Sequence, residues 1–203
     1  MRIKKEVIHT IEIEKSRFIC YMNRVFDEQQ AKDYLASIKK LHPNANHHCY
    51  GYIINNNLQR SSDNGEPAGT AGVPILQTLQ KLGLEDTIAI VVRYFGGIKL
   101  GAGGLIRAYT AAVAQTSTLV TFLNIETRNV YSLTFSYDLI GKIEYFLTNS
   151  AQITDKQYND DVCFSYLCKD NLDEQIMALT NGKYLPKLIE IIEVEVPITT
   201  DVN

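Results

Sequence analysis

The sequence predicts an α+β protein of two domains, residues 1–127 and 128–203, and three observations carry that expectation. Through the first part, β-branched segments interleave with segments of helical period. From Val130 the order of segments is βαββαβ, the split βαβ arrangement of a ferredoxin-like sheet with two helices on one face. The charge breaks at the same place: residues 1–129 hold 15 Lys plus Arg against 11 Asp plus Glu, net +4, whereas residues 130–203 hold 5 against 12, net −7. With 203 residues and 45% of them hydrophobic, the chain can bury a core in each part.

Each element has its own signal. EVIHTIEIEKSRFICYMNRV reads as two strands broken around Glu14 to Ser16, a hairpin. DEQQAKDYLASIKKLHP places Ala31, Tyr34, Leu35, Ile38 and Leu41 at helical spacing, with Asp27 as N-cap, Gln30 three residues on and Pro43 past the end. HHCYGYIINN resumes strand character, and the polar stretch NNNLQRSSDNGEPAGTAG reads as a loop. Val73, Leu76, Leu79 and Leu82 then predict a helix, with Pro74 in its first turn, Gly83 capping its end and a hydroxyl such as that of Thr70 capping its start.

TIAIVVRYF is a continuous apolar run, the mark of a strand buried on both faces. A loop holding Gly96, Gly97, Gly101, Gly103 and Gly104 follows, and a helix is expected from near Leu105 through Ala108, Tyr109, Ala112, Thr116 and Leu119. In the second part the strands are VYSLTFSY, QITDKQYN, DVCFSYLC and LIEIIEVEVPI, with helices in LIGKIEYFLTNS and NLDEQIMALTNG. The join at residues 124–129 holds no Gly, Pro or Ser, so the domains are expected to abut.

No apolar run approaches the roughly 20 residues of a membrane span, and MRIKKEVIHT lacks the apolar stretch of a secretory leader, so no membrane partner and a cytoplasmic location are expected. Cys20, Cys49, Cys163 and Cys168 form no CxxC pair and are expected reduced. His47, His48 and Cys49 are adjacent on a strand and cannot all turn toward one ion, so neither a metal nor a cofactor is expected.

RYFGGIKLGAGGLIRAY, residues 93–109, is the first candidate site. Glycines after a buried strand let a ligand approach the backbone, the amides and dipole of a helix start favour an anion, and Arg93, Lys99 and Arg107 add formal charge. Both specific nucleotide motifs fail. Gly101 is followed by Ala102 and Gly103 rather than Lys and Ser or Thr, and Ile106 stands where a dinucleotide fingerprint needs its third glycine. Phe95 and the tyrosines Tyr50, Tyr52, Tyr94 and Tyr109 are able to stack bases where exposed, although such residues more often build a core.

The second candidate is RSSDNGEPAGTAGVP, where Ser61, Asp63, Glu66 and Thr70 lie within a turn-rich segment. With Ser62 and His47 or His48 these are the residue types of a hydrolase, but the GxSxG elbow is missing.

SRFIC, NHHCYGY, RSSDNGEPAGTAGVPI and RYFGGIKLGAGGLIRAY together resemble the YigZ/IMPACT family. The resemblance covers about residues 1–125, and the βαββαβ tail is similar to the second domain of bacterial members. It implies a first domain like the second domain of ribosomal protein S5 and domain IV of elongation factor G, and a tail like that factor's domain V. Those relatives contact RNA or the ribosome, which implies nucleic-acid binding or translational control and carries over no catalytic residue. The family's motif falls here on Asp63, Gly65, Glu66, Pro67, Gly69, Thr70, Arg93, Gly96, Gly97, Lys99, Gly101, Gly103, Gly104, Arg107 and Tyr109.

The expectation is thus a non-enzymatic protein that binds RNA or a ribosomal surface through residues 96–107, with Arg93, Lys99 and Arg107 as phosphate partners. The acidic tail is left to face a protein partner or to shield an edge. Two other readings stay open: an enzyme acting on a small phosphorylated or carboxylated compound, with Asp63 or Glu66 as acid or base, and a protein-interaction module of translational control.

Overall fold

The computed structural model describes residues 1–55 and 57–198, in two compact units. The first holds Met1–Asn124 with residues 197 and 198, and the second holds Ile125–Val196. The expected second domain runs on to residues 199–203, which lie outside the described residues.

In the first unit a five-stranded antiparallel sheet has the order β2-β3-β6-β4-β5, from β2 (Val7–Ile13), β3 (Ser16–Arg24), β4 (His47–Ile54), β5 (Leu58–Ser62) and β6 (Thr87–Tyr94). The short β1 (Arg2–Ile3) pairs instead with the beginning of β7 (Phe122–Phe135). β2 and β3 form the expected hairpin, closed by Glu14 and Lys15 with φ of 47° and 61°. Two positive φ values in a two-residue loop are the twist that matches flanking antiparallel strands.

Three helices cover the sheet. α1 (Glu28–Leu41) is capped by Asp27, whose side chain accepts from the Gln30 amide at 2.7 Å, while the Gln30 side chain reaches back to the Phe26 amide. It packs on one face through Ala31 and Ile38, against Ile19, Tyr21, Tyr52, Ile88, Ile90 and Val92. α2 (Gly72–Lys81) and α3 (Gly101–Ser117) pack on the other face, where Ile75, Leu79, Leu105, Ala108, Tyr109 and Val113 meet Phe18, Cys20, Met22, Cys49, Ala89 and Val91. Alternate residues of β6 therefore enter two cores, which is why the strand is apolar at every step. Gly83, at φ 63°, ends α2 as expected.

β5 departs from the expected loop. LQRSS is an edge strand with little burial, so no alternation marks it.

The second unit has the expected βαββαβ order: the remainder of β7, α4 (Ile140–Ser150), β8 (Gln152–Tyr158), β9 (Val162–Cys168), α5 (Asp173–Leu179) and β10 (Lys187–Pro197). Its sheet order is β10-β7-β9-β8, the ferredoxin-like order. Tyr131, Leu133, Phe135, Phe164 and Tyr166 face Ile143, Leu147 and Ile176 of the helices in one core. β7 runs without a break from residue 122 to 135, so the join at 124–129 is itself strand. Among the described residues no helix is long and apolar enough to cross a membrane.

Candidate functional site

Arg93 follows Ala89 and Val91 in the alternation of β6, which points it into the α2/α3 side of the sheet. It is only 5% exposed. Its Nη1 donates to Glu66 Oε1 at 2.7 Å and its Nη2 to Ser16 Oγ at 3.3 Å, and the guanidinium lies 5.3 and 5.5 Å from the ring centres of Phe18 and Phe95. Arg93 is therefore not an exposed phosphate partner: its charge is neutralised by a buried carboxylate and almost none of its surface meets solvent.

Glu66 organises this network. Its Oε1 also accepts from the Tyr109 hydroxyl at 2.7 Å and lies 3.8 Å from His47 Nε2. Cys49 Sγ lies 3.3 Å from the Tyr109 oxygen and 2.9 Å from the Asp63 carbonyl. Burial pushes the Cys49 thiol up to about 12 and the Tyr109 hydroxyl well above its ordinary value, so both stay protonated. His48 turns the other way, its Nε2 donating to the His42 carbonyl at 3.1 Å.

Asp63 supplies the cap expected from Thr70. One carboxylate oxygen accepts from the Ala71 and Gly72 amides at 2.9 and 2.8 Å, and the other from the Gly69 amide at 2.8 Å. Partial burial raises the carboxyl, but the three amides outweigh it and hold the group below its ordinary value. Thr70 instead donates to the Pro67 carbonyl, because a carboxylate eight and nine residues upstream already occupies the first amides of α2. Ser61 is exposed on β5 opposite Gly51.

The glycine segment is shorter as a loop than expected. α3 begins at Gly101, not near Leu105, so Gly101, Gly103 and Gly104 form its first turn. Gly96 is pinned: its amide donates to Ser16 Oγ at 3.1 Å, and a Cβ there would lie 2.0 Å from the Lys15 carbonyl carbon. The Phe95 amide donates to Asn46 Oδ1 at 2.8 Å. Ser16 and Asn46 thus hold the loop in place. Sequence reasoning assigned them no role, although both belong to the motif stretches SRFIC and NHHCYGY.

No side chain caps the start of α3 and no acid lies in its first turn. Two cavities flank it. One, of about 240 Å³, is lined by Glu66, Pro67, Arg93, Phe95, Lys99, Leu100, Gly101, Ala102 and Leu105, so both glycine-rich stretches open on one concavity. The other, of about 630 Å³, is lined by Lys99, Gly104 and Arg107 together with Ile13 and Glu14. Lys99 and Arg107 are exposed and share this second cavity. Of the aromatic candidates, Phe95 is 46% exposed, Tyr52 and Tyr109 are buried, Tyr94 bonds His42 and Tyr50 stacks on Tyr52.

The fold and site define a two-unit α+β protein whose first unit builds an uncapped helix start, two cations and one exposed ring around a buried ion pair. The Impact N-terminal domain family matches residues 14–117, and a second family, a domain of unknown function (DUF1949), matches residues 133–183. IMPACT family member YvyE of Bacillus subtilis is 43% identical over 188 residues, 89% of this chain and 87% of its own length. IMPACT family member YigZ of Escherichia coli is 39% identical over 140 residues, 67% of this chain and 69% of its own. A crystal structure described only as that of a hypothetical protein superimposes with a TM-score of 0.60 at 31% identity, covering 93% of this chain and 96% of that one. The chain belongs to the IMPACT family.

Proposed function

We propose that the first unit binds single-stranded RNA, free or as part of a ribosomal surface, in a role linked to translation. The observation that carries this reading is the setting of α3: Lys99 and Arg107 are exposed on one cavity, with Glu14 the one acid on its wall, beside an uncapped helix start with no acid in its own first turn. Phosphate oxygens are satisfied there by backbone amides, the helix dipole and two formal charges together. Phe95, exposed next to them, offers the stacking face that single-stranded binders combine with a cationic groove. The resemblance to RNA-contacting domains points the same way, and a net charge of −7 over residues 130–203 assigns phosphate contact to the first unit.

The enzyme reading draws less support. Asp63 is committed to three backbone amides, which is a cap's work and leaves it poorly placed to exchange protons with a substrate. Binding of labelled single-stranded RNA to the nuclease-treated protein tests the proposal. Lys99→Ala/Arg107→Ala, which alters two exposed side chains, should abolish binding while leaving the circular dichroism spectrum unchanged; equal binding by the variant would refute it.

A further inference from the structure

The two edge strands of the second unit's sheet, β8 and β10, differ in kind. The exposed side chains of β8 are mainly polar, among them Asp155, Lys156 and Gln157, and its Ile153 packs against the core. On β10 they are largely aliphatic: Leu188, Ile189 and Ile191 are 46%, 54% and 60% exposed. No residue of this 11-residue strand is buried, and none belongs to the core under α4 and α5. Successive strand residues face opposite ways, so Leu188 lies on one face of the sheet and Ile189 and Ile191 on the other. Apolar positions on both faces are the pattern of an internal strand, yet among the described residues β10 pairs only with β7. The outer row of amides and carbonyls on such an edge is a template for one more strand.

We infer that β10 docks an extended, lysine- or arginine-rich segment of a partner protein, which adds to the sheet as a further strand. Charge selects this occupant. Glu190 and Glu193 are exposed among the aliphatic residues, Glu195 follows them, and Lys187 at the start is the strand's one cation. The surroundings reinforce this, since residues 130–203 carry a net charge of −7. Like charges opposite one another across a strand pair destabilise it and opposite charges stabilise it, so the glutamates disfavour a second copy of β10 and favour a basic strand. By alternation Glu190 shares the face of Leu188, and Glu193 that of Ile189 and Ile191. A Lys or Arg suits such a surface because its stem covers the aliphatic side chains while its charge reaches the carboxylate. Main-chain hydrogen bonds supply affinity in this mode of recognition, and the alternating side chains supply specificity.

The inference is independent of the RNA reading, because the carboxylates of β10 repel phosphate. The test uses the nuclease-treated full chain and two labelled, end-blocked octapeptides, one alternating Lys and Val and the other alternating Glu and Val. The Lys–Val peptide should bind saturably and about tenfold more tightly than its Glu counterpart, the scale of a few cross-strand charge pairs turned from attractive to repulsive. It should also slow amide exchange across residues 187–197. Glu190→Lys/Glu193→Lys, which alters two exposed side chains, should reverse the preference; should that variant fail to fold, the peptide pair and the exchange pattern on the native chain decide. Equal binding of the two peptides, no binding of the Lys–Val peptide, unchanged exchange in β10, or a preference that the double variant keeps would overturn the inference. Light scattering over a concentration series reads the competing occupant: a dimer whose formation slows exchange in β10 would give the edge to a second copy and would overturn the assignment as well.

Discussion

Replacing Asp63 tests whether one carboxylate holds the turn-rich loop onto the start of α2. Three amides, those of Gly69, Ala71 and Gly72, donate to it at 2.8–2.9 Å. A hydrogen bond to a charged group is worth roughly 1.5–3 kcal/mol net, and loss of an N-cap costs about 0.5–2 kcal/mol. The three bonds share one carboxylate and the amide of exposed Gly69 can recruit water, so they do not add. Asp63→Ala should therefore cost about 2–4 kcal/mol. Asp63→Asn can keep the oxygen that serves Ala71 and Gly72 and loses only the Gly69 bond, for about 1–2 kcal/mol. Urea unfolding followed by circular dichroism reads the difference, and amide exchange in α2 should quicken first. The pH dependence has a definite sign. The folded carboxyl titrates below its ordinary 3.8, so its stabilisation is complete above that value and disappears as the pH falls through the lower folded value. An Asp63→Ala midpoint within about 0.5 kcal/mol of the native one, the scatter of ordinary surface changes, would refute the reasoning.

Other substitutions follow from the same geometry. Arg93→Met leaves the Glu66 carboxylate buried without its ion pair and should cost about 3–5 kcal/mol at neutral pH, read as a lowered urea midpoint. Adding Met at Glu66 as well should recover part of that loss. Gly96→Ala drives a Cβ into the Lys15 backbone and should yield little folded protein in a solubility assay. Gly103→Ala meets only the tip of Arg107, at 3.6 Å, and should raise stability by up to about 1 kcal/mol in a thermal melt.

Much of this architecture was legible in the sequence where the signal is local. The Asp27 cap, the Gly83 stop, the two-faced apolar run of β6 and the βαββαβ order all depend on residues within a few positions of one another. What stayed hidden depends on distance. Asp63 caps a helix eight and nine residues downstream, so Thr70, nearer in the chain, looked the better cap. α3 begins in three glycines whose weak helix propensity conceals its first turn, and β5 is a polar edge strand without alternation. Arg93 shares parity with Ala89 and Val91, which points it inward, but its buried partner comes from residue 66 and no pattern along the chain reveals the pair. The shared cavity of Lys99 and Arg107 likewise follows from the loop geometry rather than from charge counting.

The measurement that bears most directly on the central claim is a salt titration of single-stranded RNA binding by the full chain. With Arg93 internal, two phosphate partners remain, Lys99 and Arg107, and log affinity should fall with log salt at a slope of about −1.4, roughly −0.7 for each phosphate neutralised. A slope near that value, absent in Lys99→Ala/Arg107→Ala, is the predicted result. A flat response, or the native slope persisting in the variant, would contradict the account.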